Sequence, residues 1–167
     1  MSDPHSRSPT TIEISWARFH DDARRLAEMV RSAGEFTAIV AVTRGGLAPA
    51  AIVARELGVR LVDTLGVASY NGEMQQGAVA MIKPLAETIC RRPSTQIVVI
   101  DDLADTGATA RAVRELLPDA HLATLYVKPK GRATVDSFVA ELPQDCWVYF
   151  PWDLDDDNRY RPPMRMV

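Results

Sequence analysis

The chain has 167 residues, 47% of them hydrophobic and 25% charged, a balance that suits one soluble domain with a real hydrophobic core. Its net charge of −3 offers no basic footprint for nucleic acid, and no apolar run is long enough to span a bilayer. The two cysteines, Cys90 and Cys146, lie far apart without metal-ligand spacing and read as reduced thiols of a cytoplasmic protein.

The opening MSDPHSRSPT lacks the apolar stretch of a secretory signal, and its Ser/Pro content predicts a flexible arm over residues 1–11. Next, ISWARFHDDARRLAEMVRSAG sets Trp16, Phe19, Ala23, Leu26, Ala27 and Val30 at helical spacing, with Ser15 as N-cap and Gly34 as stop. FTAIVAV, Phe36 to Val42, reads as a buried strand. It runs into TRGGLAP, and APAAIVARELG follows as a helix closed by Gly58. VRLVDTLGVASY holds one or two strands.

The segment over about 71–92 mixes Gly, Gln, Met and Pro without a sustained period, which fits either a functional lid or a variable surface insertion. QIVVID is the next buried strand, and TARAVRELLP the helix after it, with apolar Ala110, Val113, Leu116 and Leu117. HLATLYV is another strand ending in KPKGR, and DSFVAEL and CWVYF are late strands. The predicted domain covers 12–155, with 156–167 as a tail.

This alternation predicts an α/β fold with a largely parallel central sheet flanked by helices. Such sheets bind ligands beyond the carboxyl ends of their strands. Three loops fall there: TRGG, DDLADTGAT and KPKGR.

The middle loop is chemically the richest. Adjacent Asp101 and Asp102 repel each other at the end of a buried strand unless a cation or hydroxyl donors compensate. Ribose hydroxyls and Mg²⁺ would both do so. Neighbours on a strand point to opposite sides, so the pair need not share one role. Thr106, Gly107, Ala108 and Thr109 then open a helix, where backbone amides and hydroxyls can wrap a phosphate. Carboxylates followed by such a cradle suit a phosphorylated sugar; the bland alternative is a helix cap at Asp105 behind a solvated strand end. Neither GxxxxGK[ST] nor GxGxxG is present.

VVIDDLADTGATA resembles the phosphoribosyl diphosphate (PRPP) signature of the type I phosphoribosyltransferases. The resemblance implies that family's fold, with a small hood or lid, and Mg²⁺ as cofactor. It also implies that Asp101 and Asp102 hold the ribose and metal, and that Asp105 to Thr109 bind the 5′-phosphate. Asp105 would in addition act as acid or base at the purine. VTRGGLAPA resembles the family's pyrophosphate loop, which implies a pyrophosphate contact from Arg44 and Gly45 and a non-proline cis peptide at Thr43–Arg44. YVKPKGR resembles the base-recognition strand end of the 6-oxopurine branch: Lys128 would donate to the purine O6, Trp147 would stack on the ring and the Val148 backbone would read its other edge. Read by itself, Trp147 would be a core aromatic. Asp153 matches a late carboxylate that helps hold a second Mg²⁺.

RGGL, ARELG, VDT, SY, PQD and PWD recur in order in members of the family that use xanthine and guanine, covering roughly residues 12 to 155. The implied reaction joins PRPP to xanthine, guanine or hypoxanthine and releases pyrophosphate. A homodimer or homotetramer and a cytoplasmic location, peripheral on the inner membrane, are implied by resemblance as well. Two departures stand out. Ala108 replaces a second glycine, which needs negative φ there. Gln75 and Gln76 stand where the lid is basic in those relatives, with Lys83 coming later. The other readings are a transferase for another base and a non-catalytic PRPP-sensing regulator of the same fold.

Overall fold

The computed structural model describes residues 10–69, 79–154 and 159–160. The expected arm over 1–9, the Tyr70 to Ala78 part of the expected lid with Gln75 and Gln76, and most of the tail lie outside the described residues.

A short strand, β1 (Thr11–Glu13), precedes helix α1 (Trp16–Ala33). Ser15 starts the helix: its hydroxyl accepts from the Arg18 amide at 3.2 Å. Gly34 ends it in extended backbone, not in the left-handed turn that a glycine stop suggests. Phe19, Ala23, Leu26, Ala27 and Val30 form its buried stripe. Trp16 shares the spacing but remains 61% exposed, its ring edge-on to Phe19 and Trp152. Asp22 is buried within the stripe, where its carboxylate accepts from the Tyr126 hydroxyl at 2.6 Å and faces Arg18 and Arg25.

Next come β2 (Ala38–Thr43), α2 (Leu47–Leu57) closed by Gly58, and a single strand β3 (Val62–Ser69). The strand predicted from Phe36 thus begins two residues later. The second half of the unassigned segment is regular: β4 (Val79–Lys83) and a short helix α3 (Glu87–Cys90), which buries Ile89. The core continues through β5 (Ile97–Ala104), α4 (Ala108–Leu116) and β6 (His121–Val127), then α5 (Pro129–Arg132), β7 (Ser137–Glu141) and β8 (Trp147–Tyr149). Of the two leucines ending the predicted α4 stripe, Leu117 is buried and Leu116 is exposed.

The main sheet runs β4-β3-β2-β5-β6-β7, parallel except for β4 against β3. β8 leaves that sheet and pairs in parallel with β1. The central strands are apolar on both sides, as a doubly covered parallel sheet requires. On one face, Ile39, Ala41, Val98 and Ile100 meet Leu26, Val30, Ala50 and Val53 of α1 and α2. On the other, Val40, Val42, Ile97 and Val99 meet Ala110 and Val113 of α4 with Ile89. No helix among the described residues is long and apolar enough to cross a membrane.

Tyr126 is fully buried, and its hydrogen bond ties β6 to α1 through a charged acceptor. Tyr126→Phe should lower stability in urea unfolding by about 2 kcal/mol. An unchanged midpoint would show that the bond contributes nothing net.

Candidate active site

The two aspartates at the end of β5 obey the strand's alternation. Asp102 continues the series Val98, Ile100 and faces the α1/α2 side; Asp101 continues Ile97, Val99 and faces the α4 side. They therefore line different cavities. Asp101 shares one of about 270 Å³ with Asp105, Thr106, Gly107 and Thr109. Asp102 shares another, of about 650 Å³, with Arg44, Gly45, Asp153, Trp16 and Trp152.

Both carboxyls are partly buried. Burial, reinforced by the neighbouring Asp102 charge, holds Asp101 well above the usual carboxylate range. Burial also raises Asp102, to about 6, and the Asp153 carboxylate adds to the rise. Repulsion thus links Asp102 and Asp153 across the second cavity. Asp153 closes a 3-10 turn (Pro151–Asp153), in which its carboxylate accepts from the Phe150 amide at 3.0 Å.

The TRGG loop contains the cis peptide at Thr43–Arg44 that the resemblance implies. Gly45 has a more immediate reason than ligand approach. A β-carbon there would lie 2.1 Å from Asp102 Oδ2, so any larger residue would have to push the Asp102 carboxylate aside. Arg44 is exposed and forms no ion pair with another described residue.

The phosphate-type loop turns at Gly107, whose φ of 76° is left-handed, and a β-carbon there would meet Thr134 at 2.5 Å. Ala108 is the first residue of α4 and so has the negative φ that its side chain needs. The Thr106 hydroxyl accepts weakly from the Ala108 amide at 3.4 Å. Arg111, one turn into α4, donates to the Thr106 carbonyl at 3.2 Å and fastens the loop from outside.

Asp105 is held at both oxygens. Lys128 donates to Oδ2 at 3.1 Å, and Gln144 donates to Oδ1 at 2.8 Å. Lys128 is buried and also donates to the Cys146 carbonyl at 2.9 Å, which leaves one ammonium proton without a hydrogen-bond partner among the described residues. Cys146 directly precedes Trp147. That tryptophan is 56% exposed, which overturns its reading as a core aromatic: strand β8 sits outside the main sheet and, among the described residues, pairs with β1 alone. Val148, next along β8, is half-buried.

The structure therefore assembles the predicted residues into two groups around the carboxyl end of the sheet. Asp101, Asp105, Thr106, Gly107, Ala108 and Thr109 line one cavity, with Lys128 attached through Asp105. Arg44, Gly45, Asp102 and Asp153 line the other. Lys83, the later lid cation, lies elsewhere: it donates to Asp63 at 2.7 Å and to the Thr64 carbonyl. Gln144, Arg111 and Thr134 had no predicted role. For Gln144 the signal was available, since PQD was among the matched segments, but a conserved-looking turn gives no contact partner by itself.

Residues 15–159 match the phosphoribosyl transferase domain, and the chain belongs to the phosphoribosyltransferase family. Solved structures with the same fold include a purine phosphoribosyltransferase from Pyrococcus horikoshii, with TM-score 0.74 and 24% identity over 94% of this chain and 99% of that one. A Neisseria gonorrhoeae protein with bound ppGpp gives 0.70 and 23%, over 90% and 93%. The Helicobacter pylori xanthine-guanine-hypoxanthine phosphoribosyltransferase gives 0.69 and 22%, over 90% and 97%.

The raised carboxyls have a measurable consequence. Their folded pKa values exceed the unfolded value near 4, so folding favours the protonated forms. That contribution is complete below about pH 4 and is lost as pH rises through about 6 for Asp102 and beyond for Asp101. Asp102→Asn is neutral throughout. The difference in melting temperature, wild type minus variant, should therefore fall between pH 4 and pH 7 in ligand-free protein. A difference independent of pH would show that Asp102 is solvated like an ordinary aspartate.

Proposed function

We propose that the chain is a purine salvage transferase that joins PRPP to xanthine or guanine, and to hypoxanthine, giving the nucleoside 5′-monophosphate and pyrophosphate. The observation that carries this reading is Lys128: a buried ammonium with a donor to spare, fixed between Asp105 and the residue preceding an exposed Trp147. An ammonium has donors only, so it accepts a 6-oxo group and rejects a 6-amino group. Trp147 offers a flat stacking face, and the Val148 backbone lies beside it to read the 2-position. The names of the Pyrococcus and Helicobacter proteins point the same way.

On this reading Thr106 to Thr109 anchor the 5′-phosphate at the start of α4, where the helix dipole favours an anion. Asp101, on that side of the sheet, accepts from ribose hydroxyls. Arg44 and Gly45 face the departing pyrophosphate from the other side. The donor set suits Mg²⁺. Asp102 and Asp153 converge on one cavity, where the Asp153 charge disfavours an ionised Asp102 unless a cation compensates. No three metal-ligating side chains cluster among the described residues, which fits an ion completed by substrate oxygens and water. When bound, Mg²⁺ would neutralise charge on the diphosphate.

In the reaction, purine N9 forms a bond to the ribose C1′ as the C1′–oxygen bond to pyrophosphate breaks. The proton on N7 passes to the Asp105 carboxylate, whose two oxygens are already oriented by Lys128 and Gln144. Lys128 then serves twice, toward the base and toward Asp105.

Pyrophosphate release should be observed with PRPP, Mg²⁺ and each 6-oxopurine supplied separately, and not with adenine. PRPP binding without release with any base would instead support a sensor. Asp105→Asn should lower kcat about 100-fold or more with little change in the KM for PRPP; unchanged turnover would remove Asp105 from the chemistry. Lys128→Ala should raise the KM for the base and also lower kcat with every base, because it releases Asp105. An effect on kcat alone would contradict its contact with the purine.

A further inference from the structure

Gln144 makes two hydrogen bonds that together fix which way its amide faces. Its Oε1 accepts from the Lys130 backbone amide at 3.0 Å, and its Nε2 donates to Asp105 Oδ1 at 2.8 Å. A backbone N–H needs an acceptor and a carboxylate needs a donor, so the opposite orientation would break both. The side chain is half-buried in the turn between β7 and β8 and spans from the start of α5 to the loop after β5. Three separate loops meet there: one carries Asp105, one Lys128 and one Gln144 itself, just ahead of Trp147.

We propose that Gln144 is a positioning residue for the transfer reaction: it fixes the Asp105 carboxylate plane so that a free lone pair meets the proton on the purine. The proposal rests on Asp105 being the acid–base group. Without Gln144, Lys128 holds one oxygen only, and the half-exposed carboxylate can rotate about that contact. On the proposed reading Gln144 itself touches neither the ribose nor the phosphates of PRPP, so its loss should change PRPP binding much less than turnover.

The charged groups on the elements around Asp105 are Lys128 after β6, Lys130 and Arg132 on α5, and Asp145 in the same turn as Gln144. Arg111, Arg114 and Glu115 on α4 and Asp101 and Asp102 on β5 complete the set, with Arg114 paired to Asp136. Lys128 alone forms an ion pair with Asp105 among the described residues. A carboxyl at position 144 would therefore face Asp105 directly. Protonated, a glutamic acid reproduces the glutamine: its O–H donates to Asp105 and its carbonyl accepts from Lys130. Ionised, it repels Asp105.

The test compares Gln144→Ala and Gln144→Glu with wild type, using steady-state kinetics at several pH values and melting temperature as the folding control. Gln144→Met, which keeps the bulk but cannot donate, covers the case in which the alanine variant is unstable. Alanine and methionine should lower kcat about tenfold and leave the KM for PRPP within about twofold. Gln144→Glu should be worse than alanine at pH 8 and should recover toward wild type as the pH falls, so its kcat ratio to the alanine variant rises. A purely structural role would leave that ratio flat. The proposal is overturned if kcat is unchanged, if the ratio does not depend on pH, or if the KM for PRPP rises as much as kcat falls. Asp105→Asn in the same assay separates the two ideas. If it is impaired while the Gln144 variants are normal, only the positioning role fails; if it is fully active, the acid–base reading itself fails.

Discussion

The two-residue period of β5 is the constraint from which the site follows. Four apolar residues, Ile97 to Ile100, sit between two helix-covered faces, and a slip of one residue would exchange those faces and carry the carboxylates that follow to the wrong sides. The carboxylates that follow inherit this phase. Asp101 must face α4 and Asp102 must face α1 and α2, whatever ligand arrives. Each helix then adds its own chemistry. α4 brings a phosphate-type turn at its start, and the loop ahead of α2 brings Arg44. On the proposed reading, the residues of one sugar-diphosphate site are thereby divided between the two faces of the sheet at its carboxyl end.

That division leaves unfavourable electrostatics in the ligand-free protein. Asp101 is penalised by burial and by its neighbour, and Asp102 by burial and by Asp153. Around Asp105 the balance differs: a buried ammonium and an amide satisfy its carboxylate before any ligand binds. The site thus has one half whose carboxylates are disfavoured when ionised, and one half already organised by the chain. On the proposed reading these are the PRPP half and the acid–base half. Preorganising the latter is where a fixed geometry helps turnover most, because proton transfer depends on alignment.

Much of this was legible in the sequence for physical reasons. Buried parallel strands leave continuous apolar runs, and these marked β2, β5 and β6 closely. The DDLADTGAT run carries its own chemistry, since adjacent carboxylates before a small-residue helix start have few uses. The illegible parts lack a periodic or chemical signal. β1 is three residues long and exists only because β8 lies beside it. The burial of Asp22 has no local signal, because its buried partner, Tyr126, is 104 positions away. Gln144 and Lys128 come from different loops, and only the folded chain shows that they grip the same carboxylate. Gly45 was read as making room for an anion, whereas its missing β-carbon first makes room for Asp102.

The location of Lys83 bears on how the pyrophosphate charge is balanced. The stretch from Tyr70 to Ala78 contains no lysine or arginine, so Lys83 is the first cation after it. In the fold that ammonium is held by the Asp63 carboxylate and the Thr64 carbonyl, and the other Asp63 oxygen accepts from the Ala86 amide at 2.6 Å. The ion pair belongs to the join between β3, β4 and the approach to α3. Using Lys83 on a diphosphate would leave Asp63 without its cation and loosen that join. On the proposed reading, the cationic complement to pyrophosphate therefore falls to Arg44 and to the ion that Asp102 and Asp153 suit. Charge stabilisation of the leaving group is then concentrated on the α1/α2 side of β5, opposite the cradle that would hold the 5′-phosphate.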